Sequence, residues 1–539
     1  MKIRFMPLDK EVFAGANENL LHIANRSGIS IDANCGGVKK CGKCKIKILN
    51  GNTDSLTETE KYLLSPFEIQ NNYRLACCLN ISSDLEVYVP AFHGDSTRKK
   101  NMTKLPETFT ADTIKNSSPG YGIAFDIGTT TVVGMLWDFQ NQSLVDTEAR
   151  TNYQSSYGAD VISRIEFCNQ NGEHVSLLQQ KIIHCFNDIL EDILIRNQIL
   201  PQQICDVTIV GNTTMSHLVL GVHPGPLAVA PFTPAFCEAK KLTACELGIQ
   251  VNPSANVYLL PNIAGHVGSD IVGMMLATEI YKSEGAHIAI DIGTNGEIVA
   301  IKGGRMLTCS TAAGPAFEGA CIHHGMRAAS GAIEKVQIIQ GNVQIQTIGN
   351  VPAVGLCGSG LIDAVSALLD IGIIEPSGRM LPQDEALEEE LPYALCQRIT
   401  TYQSHPAFIL SDSLQPEPVL LTQQDVREVQ LAKGALLAGM QTLMKILDID
   451  EDDIDSIMVA GAFGNYIDKN SALRIGLFPQ ISADRIYSVG NAAGAGASMA
   501  LLSTEQKEIA SQISLETEHV ELSLNKDFQE YYMYAMMFE

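Results

Sequence analysis

Apolar and polar residues change rhythm along this chain, and each rhythm predicts a different element. Near the start, Lys2–Met6 alternates as a half-buried strand, and Asn17–Arg26 gathers Leu20, Leu21 and Ile23 on one face of a short helix. Lys43–Leu49 alternates lysine with Cys44, Ile46 and Ile48, and Leu85–Val89 alternates again before Pro90 ends it. From Ala91 to Gly120 the pattern dissolves. Ser96-Thr97-Arg98-Lys99-Lys100 and Lys115-Asn116-Ser117-Ser118-Pro119-Gly120 read as a linker with a few apolar anchors. Beyond Tyr121, short apolar runs (Gly122–Phe125, Val207–Val210, His287–Ile290, Ser456–Val459) alternate with helical stretches at Ser176–Arg196 and Asp425–Leu447. That alternation predicts sheets layered with helices. The acidic residues Asp384, Glu385, Glu388, Glu389 and Glu390 read as a solvated face. Toward the end, Val520–Leu524 predicts a strand and Tyr531–Met537 a closing element packed on the core.

Two of the apolar runs end in the same way. Asp126-Ile127-Gly128-Thr129 recurs as Asp291-Ile292-Gly293-Thr294, each time at the end of a predicted strand. A strand that ends in Asp-x-Gly-Thr turns into a tight hairpin whose backbone N–H groups can approach a phosphate. The two aspartates can hold a hydrated Mg²⁺ between them. Two copies imply a duplicated unit that closes on one nucleotide, ATP, from both sides. Candidate phosphate contacts are therefore Gly128, Thr129 and Thr130 in the first hairpin and Gly293, Thr294 and Asn295 in the second.

Composition narrows the partners. A chain of 539 residues with 45% hydrophobic and 18% charged residues is an ordinary globular protein with more than one core. Its formal charge of −24 weighs against nucleic acid or an anionic membrane as partner. The N-terminus lacks a signal-peptide core and no apolar run reaches membrane-spanning length, so a cytoplasmic protein is expected.

Fourteen cysteines in such a setting are expected to be reduced thiols, most of them small buried hydrophobes, such as Cys168, Cys185, Cys205 and Cys237. A cluster near the start differs. Cys35, Cys41 and Cys44 share a glycine-rich loop with Gly36, Gly37 and Gly42, and Cys77 and Cys78 follow later. Four thiolates in this arrangement suit a [2Fe–2S] cluster; structural zinc would favour two Cys-x2-Cys knuckles, and only Cys41/Cys44 form one.

This segment resembles the [2Fe–2S] ferredoxin domains of the β-grasp fold, with adrenodoxin-like spacing. Arg74-Leu75-Ala76-Cys77 matches that family's Arg-Leu-(Ala/Gly)-Cys, and the resemblance implies the ligand set Cys35, Cys41, Cys44 and Cys77. The second part resembles the acetate kinase, sugar kinase, Hsp70 and actin superfamily. Besides the two aspartate hairpins, it carries Ile457–Asn465, a strand entering a turn that contains Gly461 and Gly464. It also carries Val489–Ala497, where Gly490 precedes a helix of small residues, and the strand-to-turn passage Ile209–Met215. No P-loop and no dinucleotide-binding glycine motif follows the first strand of this part. The superfamily resemblance implies an adenosine site at the Gly461–Gly464 and Gly490 turns. It also implies catalytic roles for Asp126 and Asp291, and a water-positioning group among Glu297, Asp270 and Asn212.

The order ferredoxin, linker, ATPase, together with Tyr157–Arg164, Ala312–Gly319 and Gly355–Asp363, resembles the reductive activators of corrinoid proteins over nearly the whole chain. The resemblance implies an α/β and α+β multidomain protein: a β-grasp [2Fe–2S] ferredoxin domain at 1–92, a linker at 93–120, and a two-lobed actin-like, ribonuclease H-like ATPase at 121–539. It implies an iron–sulfur activase that uses ATP and Mg²⁺ to return a cob(II)alamin-type cofactor on a methyltransferase-system protein to cob(I)alamin. A low-potential ferredoxin or flavodoxin would donate the electron, and a homodimer is left open. The loop Ser310–Glu318 is expected either to face the partner or to form a structural turn at the cleft. Two other readings stand beside this one: an activator of another low-potential reductase or dehydratase, and a redox-sensing scaffold that binds nucleotide without turnover.

Overall fold

The computed structural model describes the chain except residues 16, 28, 30, 32–36, 38, 40–41, 65, 90–102, 113–119, 412–417 and 539. Two of the expected cluster ligands, Cys35 and Cys41, lie outside the described residues. The first alternating segments pair as expected. Lys10–Phe13, Lys2–Met6, Leu85–Tyr88, Lys45–Gly51 and Tyr73–Leu75 form one sheet in that spatial order, with Lys2–Met6 parallel to Leu85–Tyr88. The helix Leu20–Arg26 buries Leu20, Leu21, Ile23 and Ala24 against it. This helix is shorter than predicted because Asn17 has φ +61° and Asn19 caps the first turn. The result is a β-grasp unit with its own core.

Two six-stranded sheets follow, built alike. The first runs Lys240–Thr243, Asn256–Leu259, Ile204–Gly211, Tyr121–Ile127, Thr131–Asp138, Ser143–Thr151. The second runs Ile486–Gly490, Ile454–Ala460, Ala286–Ile292, Gly296–Lys302, Arg305–Thr311, Glu518–His519. In each, the aspartate-bearing strand pairs antiparallel with the strand after its hairpin and parallel with a later one, so Asp126 lies beside Val210 and Asp291 beside Ala460. The duplication inferred from the two motifs is thus a duplication of sheets.

Each sheet covers one face with a long helix. Glu173–Asn197 buries its apolar stripe on the first sheet, where Phe186 stacks on Phe125 at 4.1 Å. Gln423–Leu447 does the same on the second, its first turn closed by Thr422 and Asp425 in a capping box. Between the sheets lie the helices Ser269–Thr278 and Ala492–Leu502, sharing a core with residues of both sheets. Their small residues allow close approach. A Cβ at Gly496 would stand 2.0 Å from the Gly273 carbonyl oxygen, so glycine is required there. Trp137 donates its indole N–H to Ser498 Oγ at 3.0 Å, tying the first sheet to this layer.

Part of the segment read as linker is fastened down. Asp112 accepts from Ser503 Oγ at 2.9 Å and from the Thr504 amide at 2.5 Å, and Ala111 is buried among the inter-sheet residues. The predicted strand at Val520–Leu524 does not form. Pairing with Leu307 and Thr308 involves Glu518–His519 instead, and Glu521 then caps a short turn over Leu522–Leu524 by accepting from the Ser523 amide. The closing element is the helix Lys526–Ala535, packed along Gln423–Leu447. Of the cysteines expected to be buried, Cys168 and Cys185 are, Cys205 and Cys237 are half-buried, and Cys245 and Cys321 are exposed. Among the described residues, no helix is long and apolar enough to cross a membrane.

Candidate active site

The two hairpins turn tightly at the ends of paired strands. The Gly128 amide donates to Thr131 O at 3.0 Å, and the Gly293 amide donates to Asn295 O at 2.9 Å. The first hairpin is braced from behind. Asn152 donates through Nδ2 to Gly128 O at 2.9 Å and through its amide to Thr130 O at 2.9 Å. The Arg164 guanidinium reaches Thr129 O, Gly158 O at 2.8 Å and Gln154 Oε1 at 3.3 Å. Arg164 is fully buried among neutral acceptors, and burial lowers its pKa to about 9, opposed only by the charge of Asp160. An anion bound at the hairpin would therefore meet a partly compensated positive charge just behind it.

The second hairpin is braced by an acid. Thr294 Oγ1 donates to Glu318 Oε1 at 3.2 Å, and Asp291 faces Glu297 across the strand pair. Glu297 in turn accepts from Ser310 Oγ at 3.3 Å. Asp270, in the first turn of Ser269–Thr278, shares the same space. Its carboxyl is pushed up to about 7, by burial first and then by Asp291 and Asp126. Burial raises Asp291 to about 6, and burial with Asp270 and Asp291 holds Glu297 well above the usual carboxylate range. Four predicted acids thus share one cleft between the hairpins. Among the described residues, no three such side chains come close enough to hold a metal ion directly.

Asn212 serves two partners. It caps Thr213–Val219 by accepting from the Met215 amide at 2.9 Å, while its Nδ2 donates to Thr129 Oγ1 at 3.1 Å. Gly461, at φ +81°, would place a Cβ 2.8 Å from Asp291 Oδ1, so its turn lies directly on the second aspartate. Gly490 pairs beside Ala460 and adjoins the same turn. Gly464 faces its own strand, where a Cβ would meet Val459 at 2.7 Å, which makes it a packing residue. Phe463 stacks on Phe317 at 5.2 Å beside this turn. In the Ser310–Glu318 loop, Ala313, Ala316 and Phe317 are buried in the core of the second sheet, while Ala312 is exposed. Asn152 and Gln154 carried no sequence motif, and the two motifs that hold Phe317 and Phe463 gave no sign that the rings would meet. Arg164 lay inside another motif, but nothing in the pattern showed that it would point at the hairpin.

In the N-terminal unit, the Ala76 amide donates to Cys44 O at 2.8 Å, which brings Cys44 beside Cys77. The two are 2% and 4% exposed, and hydrogen bonding to Cys44, followed by burial, drives the Cys77 thiol far upward. Two thiols pressed together in an apolar pocket suit a cation that binds both as thiolates. Gly37 lies against Cys77, where an added Cβ would stand 4.0 Å from Cys77 Cβ. Cys78 Sγ lies 3.9 Å from Cys77 Sγ and also interacts with Thr57. A buried ion pair fixes this segment: Arg74 bonds Glu60 at 2.8 and 3.0 Å, and Glu60 also accepts from the Leu75 amide at 3.1 Å. The described thiols fit a cluster held by Cys44 and Cys77.

Fold and site together define a two-lobed nucleotide-binding ATPase of the actin-like class joined to an iron–sulfur domain. Residues 5–82 match the 2Fe-2S iron-sulfur cluster binding domain, 121–283 the RACo middle region, and 285–539 the C-terminal ASKHA domain of RACo. The chain is 37% identical over 429 residues to the corrinoid activation enzyme RamQ of Eubacterium limosum, covering 79% of this chain and 71% of that protein. It is 25% identical over 455 residues to the [Co(II) methylated amine-specific corrinoid protein] reductase of Methanosarcina barkeri, covering 77% and 76%. A solved reductive activator for corrinoid,iron-sulfur protein aligns with a TM-score of 0.71 and 30% identity, over 100% of this chain and 98% of that one. The chain belongs to the RACo family of corrinoid activators.

Proposed function

We propose that the protein uses ATP to drive a one-electron reduction of a partner corrinoid protein, from cob(II)alamin to cob(I)alamin, in the cytoplasm. The observation that carries this reading is the pairing, in one chain, of buried facing thiols with a cleft of four carboxylates between two phosphate hairpins. The names of its relatives agree with it.

Cys44 and Cys77 would hold the [2Fe–2S] cluster with Cys35 and Cys41, and the cluster would supply the single electron. A low-potential ferredoxin or flavodoxin would recharge it. Plant-type clusters sit near about −400 mV, and the Co(II)/Co(I) couple lies lower, so the transfer runs uphill. Each 59 mV is about a tenfold factor in the equilibrium for one electron. ATP is needed because a ligand can shift such an equilibrium only through its different affinity for two states of the protein. The hairpin amides at Gly128–Thr130 and Gly293–Asn295 would bind the phosphates, and Asp126 and Asp291 would hold hydrated Mg²⁺. The adenosine would lie against Gly461 and Gly490. Asp270, whose carboxyl titrates near neutrality, would accept the proton of the attacking water, with Glu297 and Asn212 orienting it.

The test mixes reduced holoprotein with a cob(II) corrinoid protein and follows the visible spectrum. Cob(I) should accumulate with MgATP and stay near its uncatalysed level without it. Equal accumulation in both would remove ATP from the reaction.

A further inference from the structure

Among the described residues, hydrogen bonds tie the iron–sulfur domain to both lobes. Lys43, next to Cys44, donates to three backbone carbonyls of one loop: Ile322 O at 2.9 Å, Gly325 O at 2.8 Å and His323 O at 3.4 Å. Asn25, on the helix Leu20–Arg26, donates to Ser156 O at 3.3 Å. Both anchor loops adjoin the nucleotide hairpins. Ser156 lies in the turn Tyr153–Tyr157, whose neighbours Asn152 and Gln154 brace the first hairpin. The Lys43 loop begins directly after Glu318, the acceptor of Thr294 in the second hairpin.

We propose that the 319–326 loop is the docking shelf of the iron–sulfur domain, and that nucleotide binding between the hairpins undocks it. The coupling half rests on the nucleotide site proposed above. The shelf is firm on its far side: Asp425 accepts from the His323 amide at 2.7 Å, and His324 Nδ1 accepts from the Leu420 amide at 3.1 Å. Its near side depends on Glu318. A phosphate at Gly293–Asn295 competes for the Thr294 hydroxyl and repels the Glu318 carboxylate, which displaces the loop that Lys43 grips. Movement of either lobe about the Gly273–Gly496 contact also changes the separation of Ser156 from Gly325. A body anchored to both lobes cannot keep both anchors when that separation changes. The single neutral bond of Asn25 is the weaker tie and gives way first, so release from the shelf requires the displacement of the loop through Glu318 to break the stronger, charged tie of Lys43.

The electron-carrying loop thereby acquires two positions. Docked, the described Lys43–Cys44 segment is tied to the shelf and is withheld from other proteins. Released, it is available to the corrinoid partner, and only while nucleotide is bound.

The test is hydrogen exchange on the full-length, cluster-loaded protein, with and without a non-hydrolysable MgATP analogue, with nucleotide binding measured by calorimetry on the same samples. Without nucleotide, Lys43→Met should speed exchange at 319–326 about tenfold, the loss expected for a charge-assisted contact, and Lys43→Arg should restore protection. Adding the analogue to the wild type should produce the same loss at 319–326, and adding it to Lys43→Met should change that segment little further. Should Lys43→Met lose its visible spectrum, Asn25→Ala, remote from the cysteines, should speed exchange at 153–157 a few fold. Unchanged exchange at 319–326 in a cluster-loaded Lys43→Met protein overturns the docking shelf. Binding heat with added protection at 319–326 overturns the coupling alone. Absence of binding heat overturns the coupling together with the nucleotide site.

Discussion

The two hairpins share a backbone plan and differ in charge. Asp126 pairs across its hairpin with Val133, whereas Asp291 at the matching place pairs with Glu297. Behind the first hairpin stand neutral and cationic donors, Asn152 and Arg164; behind the second stands an acceptor, Glu318. One scaffold has therefore become two tools. On the function proposed above, the first hairpin would attract and fix phosphate, and the second would gather the acids that activate water. A duplicated fold preserves strand order and lets the side chains behind each loop diverge.

The largest effect should come from what the hairpins still share. Asp126→Ala or Asp291→Ala should each lower ATP turnover by about a thousandfold, the scale of removing a preorganised electrostatic group, with the visible spectrum unchanged. If either variant turns over ATP at the wild-type rate, the equivalence of the two aspartates is broken. Next, Glu297→Val, which makes the second hairpin resemble the first, should lower turnover about a hundredfold, as general-base partners do, while nucleotide affinity holds within a few fold. Arg164→Met should do the reverse: affinity measured by calorimetry should fall about tenfold, the worth of a charge-assisted bond, with a smaller change in turnover.

The smallest effect concerns pH. The folded Asp270 carboxyl titrates at about 7, against an ordinary 3.8. Between those values the folded state holds a proton that the unfolded chain has released, so nucleotide-free stability falls as pH rises through this window. Asp270→Asn should flatten that fall, which raises the melting temperature at pH 8 by about a few degrees relative to wild type. The gap between the two proteins should close at pH 4. A gap that is the same at both pH values would show that Asp270 is not held protonated.

How much of this was legible in the sequence depends on whether a feature is local. The aspartate hairpins, the Arg74–Cys77 segment and the long helices are set by consecutive residues, and each appears where the pattern predicted it. The helix Gln423–Leu447 even starts at its own capping box. The strand predicted at Val520–Leu524 failed because pairing competes with a local cap: Glu521 holds the Ser523 amide, and contact with the sheet edge ends at the Val520 amide, which donates to Thr308 O at 2.8 Å. The bracing of the hairpins was not legible, since Arg164 meets Thr129 only after residues 153–170 have folded back across the first sheet. The stacking of Phe317 on Phe463 was not legible for a similar reason, since the two rings meet only after distant parts of the chain have folded together.

The cysteines divide in the same way. Spacing offered Cys77 and Cys78 as neighbours and the Arg74–Cys77 resemblance pointed to Cys77; the folded strand pair brings Cys77 to Cys44, while Cys78 also contacts Thr57. Cys77→Ser should therefore bleach the holoprotein, and Cys78→Ser should leave its spectrum and about two irons per chain in place.

The most direct measurement uses Asp291→Ala protein with its cluster intact and reduced, mixed with a cob(II) corrinoid protein and MgATP. The account predicts a normally reducible cluster and cob(I) no faster than in the absence of nucleotide. Cob(I) formed at the wild-type rate would contradict it, because the electron would then pass without the nucleotide cleft.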